Sequence, residues 1–196
     1  MENVITSGFK QEGDVVAILG RTEPEIGAGE YLARVHGIEG GEVPRIDLEA
    51  EEALLNLVKL LTSRRLLSSC RGISEGGIAV GLADACVLGD IGAEVALDGM
   101  RLDHYLFSES GARMLVSFGP SDLREVEAMA QAGNVPLSVI GKVGGESLVV
   151  RRSRQPRPTA CCGDAAGSAG ENAIEIRVCD ISRIYQEACS WLAEEE

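Results

Sequence analysis

The sequence predicts a mixed α+β domain built in layers, and three observations carry that prediction. Short β-branched and apolar runs bounded by glycine occur along the chain, the first being Asp14 to Leu19 between Gly13 and Gly20. Amphipathic helical stretches lie between them. One further helical stretch, Ile78 to Leu88, is apolar on nearly every side, a pattern that requires cover all round.

The elements follow in order. Asp14 to Leu19 is a buried strand, and Gly27, Gly29 and the Glu30 to Val35 stretch turn the chain into one or two helical turns. The first long helix follows Pro44. Asp47 caps it, Glu49, Glu51 and Glu52 favour its positive end, Leu54, Leu57, Val58 and Leu61 form one face, and Arg64 and Arg65 close it. Leu66 to Cys70 is a strand, and the loop from Arg71 to Gly77 leads into the Ile78 to Leu88 helix, whose Ala79, Gly81, Ala83 and Ala85 let a neighbour approach. Ala93 to Leu97 and Arg113 to Phe118 are strands, joined through Leu106 to Gly111. Ser121 and Asp122 start a helix with Asp122 and Glu125 at capping-box spacing, with Leu123, Val126 and Ala130 inward and Gly133-Asn134 as its stop. Pro136 to Val143 is the next strand, and Gly144-Gly145 turns it into a hairpin partner at Ser147 to Val150. Residues 151–170, Arg- and Pro-rich and then Gly-, Ala- and Ser-rich, form a mobile insertion. A strand at Ile174 to Val178 and a helix from Asp180 finish the fold, the helix burying Ile181, Ile184, Tyr185, Ala188 and Leu192.

Composition bounds the function. The chain has 196 residues, which suits one domain of ordinary size, or one and a half, on a prior of roughly 150. Residues 1–13 are a lead-in and 14–196 the domain. Apolar residues make up 45% and charged residues 25%, so the chain can bury a core and global disorder is excluded. With 18 Lys and Arg against 31 Asp and Glu, the net charge of −13 repels a polyanion and argues against a nucleic-acid partner. No apolar run approaches the ~20 residues of a membrane span, and Met1 to Gly8 lack a signal-peptide pattern, so a cytoplasmic location without a membrane partner is expected. Six cysteines occur without a C-x-x-C pair, which argues against structural zinc; Cys161 and Cys162 read as exposed reduced thiols. His36 and His104 read as surface or loop residues, with no Ser or Cys motif directed at either.

Two stretches can carry chemistry. Ile73-Ser74-Glu75-Gly76-Gly77 combines a strand end, a capping hydroxyl, two glycines and a helix start; unpaired amides there carry the helix's positive end, and glycines let a phosphate approach. The same residues also suit a Ser N-cap and a glycine turn that serve only to pack the helix. The second stretch is Phe107 to Arg113. It places Glu109, Ser110 and Arg113 at a strand entry, where Arg113 either meets a phosphate or pairs with Glu109.

The segments Ser69 to Val80, Leu106 to Arg113, Ile140 to Gly145 and Thr22 to Leu32 resemble, in order and spacing, the C-terminal domain of phosphoribosylformylglycinamidine synthase, in the aminoimidazole ribonucleotide synthetase superfamily. The resemblance spans about residues 14–192. It implies a three-layer α/β/α domain with a mixed sheet. It also implies a part in an ATP-dependent carbon–nitrogen ligase that amidates formylglycinamide ribonucleotide in purine biosynthesis, with glutamine as amide donor. Ser74, Glu75, Gly76 and Gly77 match the family's substrate-phosphate loop, with Glu109, Ser110 and Arg113 behind it. No catalytic or metal-binding residue is assigned. ATP and Mg²⁺ are implied mainly outside this chain, and the implied partners are the remaining synthetase domains, a glutaminase subunit or a second copy, which together would cover apolar surface left exposed here.

Departures from the family pattern motivate a second reading. Arg71-Gly72 stands where the family has His-Asp, Gly27-Ala28-Gly29 where it has Gly-Gly-Ser, and Ser108 where it has Gly. The chain is then a binding or scaffolding domain of the same superfamily without a working site.

Overall fold

A computed structural model describes residues 4–152 and 172–193. Its strands are β1 (Val15–Leu19), β2 (Ser69–Gly72), β3 (Ala93–Leu97), β4 (Met114–Phe118), β5 (Leu137–Val143), β6 (Ser147–Arg152) and β7 (Asn172–Arg177). Its helices are α1 (Glu30–His36), α2 (Leu48–Ser63), α3 (Gly77–Gly89), α4 (Leu102–Phe107), α5 (Leu123–Ala132) and α6 (Val178–Ala193). The seven strands form one mixed sheet in the order β2-β4-β1-β5-β3-β6-β7, in which β3 and β6 run parallel and the other neighbours antiparallel.

Strand alternation divides the core in two. On one face Val16, Ile18, Val95, Leu115 and Val150 meet Ile78, Leu82 and Cys86 of α3, Leu106 of α4 and Val178 of α6. On the other, Ala17, Leu19, Val116 and Phe118 meet Leu54, Leu57 and Leu61 of α2 and Val126 and Ala130 of α5. The result is the three-layer α/β/α architecture. Phe9, in the lead-in stretch, packs into the α3 face, and its amide donates to the Ala85 carbonyl at 3.0 Å.

The capping of α2 follows the sequence, with Asp47 Oδ1 accepting from the Ala50 amide at 3.0 Å. Several expectations are corrected. The hairpin after Val143 does not form, because β3 lies between β5 and β6. The Gly144-Gly145 turn instead carries the chain over β3, with the Gly144 amide donating to Gly92 O and the Gly92 amide to Gly145 O, each at 2.8 Å. A glycine pair signals the turn and not the strand that pairs beyond it.

The capping box at Asp122 is also absent: no side chain caps α5, and Glu125 pairs with Arg64 at 3.0 Å across to α2. Leu106 and Phe107, taken as connection, belong to α4. The strand expected at Leu66 starts at Ser69, and α6 begins at Val178 without a break after β7.

The α6 stripe is buried only at its start. Val178 and Ile181 pack on α3, whereas Ile184, Tyr185 and Ala188 are exposed; the side chain of Leu192 lies outside the described set. Complete cover of α3 fails as well, since Val80 and Leu88 face solvent. The strand β6 takes the first two residues of the expected insertion, and 153–170 lie outside the described residues together with Cys161 and Cys162.

Leu82 is fully buried between α3 and the sheet. Leu82→Ala is therefore expected to lower the unfolding free energy by ~3 kcal/mol in urea denaturation, the cost of a core cavity.

Candidate functional site

Three loops meet at the start of α3. They are the 20–29 loop after β1, the 73–76 turn after β2 and the 108–113 loop before β4. Ile73 anchors the turn, its side chain buried and its amide donating to the Arg113 carbonyl at 3.1 Å. The helix is capped by Gly76 in a left-handed conformation (φ 73°) and not by Ser74, whose side chain makes no capping bond and is exposed; Glu75 is exposed too. The Ser N-cap reading is thus replaced by a glycine cap, with the Gly77 amide donating to Ser74 O at 2.9 Å.

The Gly76 amide is already occupied. It donates to Glu109 Oε1 at 2.9 Å, and the Glu30 amide at the start of α1 donates to the same oxygen at 2.9 Å. Two helix starts therefore point at one carboxylate, where their positive ends favour negative charge. Gly29 makes the space: a Cβ there would fall 3.0 Å from the Glu109 carboxyl carbon. The next amides of α3, those of Ile78 and Ala79, have no acceptor among the described residues.

The expected Arg113–Glu109 pair does not form. Arg113 is 3% exposed and gives its guanidinium protons to neutral oxygens: Ser110 O at 2.8 Å, Ser108 O at 2.7 Å and Thr22 Oγ1 at 3.4 Å. Burial holds it down at about 10, against the pull of Tyr105, Glu25 and Glu109. It is thereby a brace inside the loop and is not presented to a ligand. Ser108 Oγ donates to Glu23 O at 2.5 Å and the Glu109 amide to Glu25 O at 3.1 Å, which ties the 20–29 loop down. Ser110 Oγ receives the Glu23 amide at 3.3 Å.

Sequence reasoning missed three supports. Glu51 of α2 accepts the Ala112 amide at 2.6 Å; Tyr31 stacks on Phe107 with centroids 4.3 Å apart; and Arg71 of β2 is ion-paired with Asp84 of α3. The last pair bridges the strand and helix that flank the turn. Asp84 is 4% exposed, Arg71 27%. Asp84 Oδ1 and Arg71 Nε have no hydrogen-bond partner among the described residues. The signal for Asp84 was present in the sequence: it is the only charged residue in an otherwise apolar helix. Arg71 thus answers a local carboxylate.

Cys70 and Cys86 are unsuited to nucleophilic work. Burial pushes their thiols up to about 11 and about 12.

The mixed sheet between two helical layers, with its glycine-capped central helix and the loops around it, defines a three-layer α/β/α domain. Residues 11–152 match the corresponding family, and the chain belongs to it: AIR synthase related protein, C-terminal domain. The chain is 45% identical over 145 residues to the phosphoribosylformylglycinamidine synthase subunit PurL of Moorella thermoacetica, covering 74% of this chain and 20% of that protein. Against PurL of Symbiobacterium thermophilum it is 31% identical over 193 residues, covering 96% of this chain and 24% of the relative. The chain therefore spans about a fifth to a quarter of the length of these curated relatives. Its fold is similar to the structure titled T. maritima PurL complexed with FGAR, with TM-score 0.74 and 20% identity over 91% of this chain and 29% of that one. A thiamine-monophosphate kinase of Stenotrophomonas maltophilia shares the fold more distantly, with TM-score 0.54 and 14% identity over 76% of this chain and 53% of the kinase.

At Gly77 (φ 65°) a Cβ would lie 2.5 Å from Leu106 O, whereas one at Gly72 would meet open space. Gly77→Ala is expected to lose ~2 kcal/mol of stability through strain and displacement of α4. Gly72→Ala should stay within ~0.5 kcal/mol in the same urea titration.

Proposed function

We propose that this chain is the C-terminal part of a phosphoribosylformylglycinamidine synthase and holds the phosphate of formylglycinamide ribonucleotide at the Ser74–Gly77 turn. The observation that carries the reading is the pair of uncommitted amides, Ile78 and Ala79, at the start of a helix whose turn is fixed from behind by Glu109. In this arrangement Glu109, Ser110 and Arg113 shape the turn, and the Ser74 hydroxyl and the helix amides meet the phosphate. Anchoring the remote phosphate orients the substrate's amide oxygen toward the phosphoryl donor, so this chain contributes placement and electrostatics.

Among the described residues no group of three or more His, Cys, Asp or Glu converges to hold a metal ion. We assign ATP and Mg²⁺ mainly to companion domains, as the family resemblance implies. No described helix is long and apolar enough to cross a membrane. Val35, Ile38, Val43, Ile46 and Leu48, all more than half exposed within one stretch, form the face we assign to the remaining synthetase domains, with a glutaminase subunit supplying ammonia from glutamine to the assembly.

Arg71-Gly72 and the Glu109 carboxylate on the Gly76 amide favour the second reading, a scaffolding domain without a working site. Calorimetry separates the two. In the assembled synthetase, formylglycinamide ribonucleotide should bind and Ser74→Asp, an exposed change without backbone strain, should weaken it at least tenfold by placing a charge against the phosphate. An assembly that forms normally yet takes up no substrate supports the scaffold instead.

A further inference from the structure

A cavity of about 410 Å³ is lined by Arg101, Leu102, Asp103, Leu106, Phe107 and Arg152. It sits at the carboxyl ends of β3 and β6, whose last residues Leu97 and Arg152 are register partners in the parallel pair of the sheet. The residues lining the floor are apolar: Leu106 is buried, and Phe107 has its orientation fixed by the parallel stack on Tyr31. The rim is cationic in a chain of net charge −13. Arg101 gives Nε and Nη2 to Asp103 at 3.1 and 2.6 Å, which holds the guanidinium in place and leaves its other donors uncommitted. Arg152 pairs with no carboxylate among the described residues, so the lining carries one net positive charge once Asp103 is counted.

We propose that this cavity is a binding site for a small aromatic phosphomonoester. The phosphate lies between Arg152 and the fixed Arg101, where fork-shaped donors match its oxygens, and the ring lies on the Leu102, Leu106 and Phe107 floor. A volume of this size admits a single-ring or fused-ring compound. Binding here uses none of the amides assigned to the substrate-phosphate turn.

The test is a titration of the full chain with phenyl phosphate, followed by amide and arginine side-chain NMR shifts. Saturable binding should appear with shifts at Leu102, Leu106 and Arg152. Arg152→Ala and Arg101→Ala should each weaken it about tenfold. Inorganic phosphate and phenol should each bind more weakly than phenyl phosphate, and Ser74→Asp should leave binding unchanged. No saturation, shifts confined to the Ser74–Gly77 turn, indifference to both arginine substitutions, or equal affinity for inorganic phosphate would overturn the proposal. The last two results would do so without touching the reading of the turn, which is tested in the assembled synthetase.

Discussion

The Glu109 carboxylate joins the starts of two helices that the sequence separates by some forty residues. One of its oxygens takes the Gly76 amide of α3 and the Glu30 amide of α1, and its own amide returns to Glu25 O. Charge-assisted bonds contribute ~1.5–3 kcal/mol each when buried and less where water reaches them, as it does at the exposed Glu30 bond; the two helix ends add to them. The 20–29 loop, the turn before α3 and the loop before β4 thus share one anchor. An anion is built into the fold at the place where a ligand's anion would first be sought, and any ligand phosphate must take the next amides along.

Arg113 shows why that anchor needs an inner brace. Its guanidinium spans Ser108 O, Ser110 O and Thr22 Oγ1, fixing the backbone on both sides of Glu109. Buried arginine beside neutral oxygens costs desolvation, visible in its lowered pKa, and the nearby Glu25 and Glu109 charges offset part of that cost. The Arg71–Asp84 pair repeats the logic on the far side of the turn, where strand β2 is at the sheet edge and its Cys70 amide donates to Thr6 O of the lead-in stretch at 3.2 Å.

Much of the fold was legible because its signals are local. The Asp47 cap, the Leu54-Leu57-Leu61 face and the Val16–Leu19 strand depend on residues close in sequence. The failures share a different cause. Whether β6 pairs with β5 or β3, and whether Glu125 closes a cap or reaches Arg64, is decided by elements far along the chain. In the α6 stripe Ile181 packs on the core, whereas Ile184 and Tyr185 are exposed. At the site, the two glycines and the Glu109 motif were legible by type. That Gly76 caps the helix, and that Glu109 takes Gly76 and not Arg113, followed only from the close approach of loops at Gly29 and Gly77.

Amide hydrogen exchange at Gly76 and Glu30 tests the shared anchor most directly. In the unaltered chain both amides should be protected; in Glu109→Ala both should lose protection together while Ile18 in β1 keeps its own, and Glu109→Gln, which retains the accepting oxygen, should restore most of it. Protection of Gly76 and Glu30 that survives Glu109→Ala, or that is lost at one amide alone, would contradict the claim that a single carboxylate holds the two helix starts together.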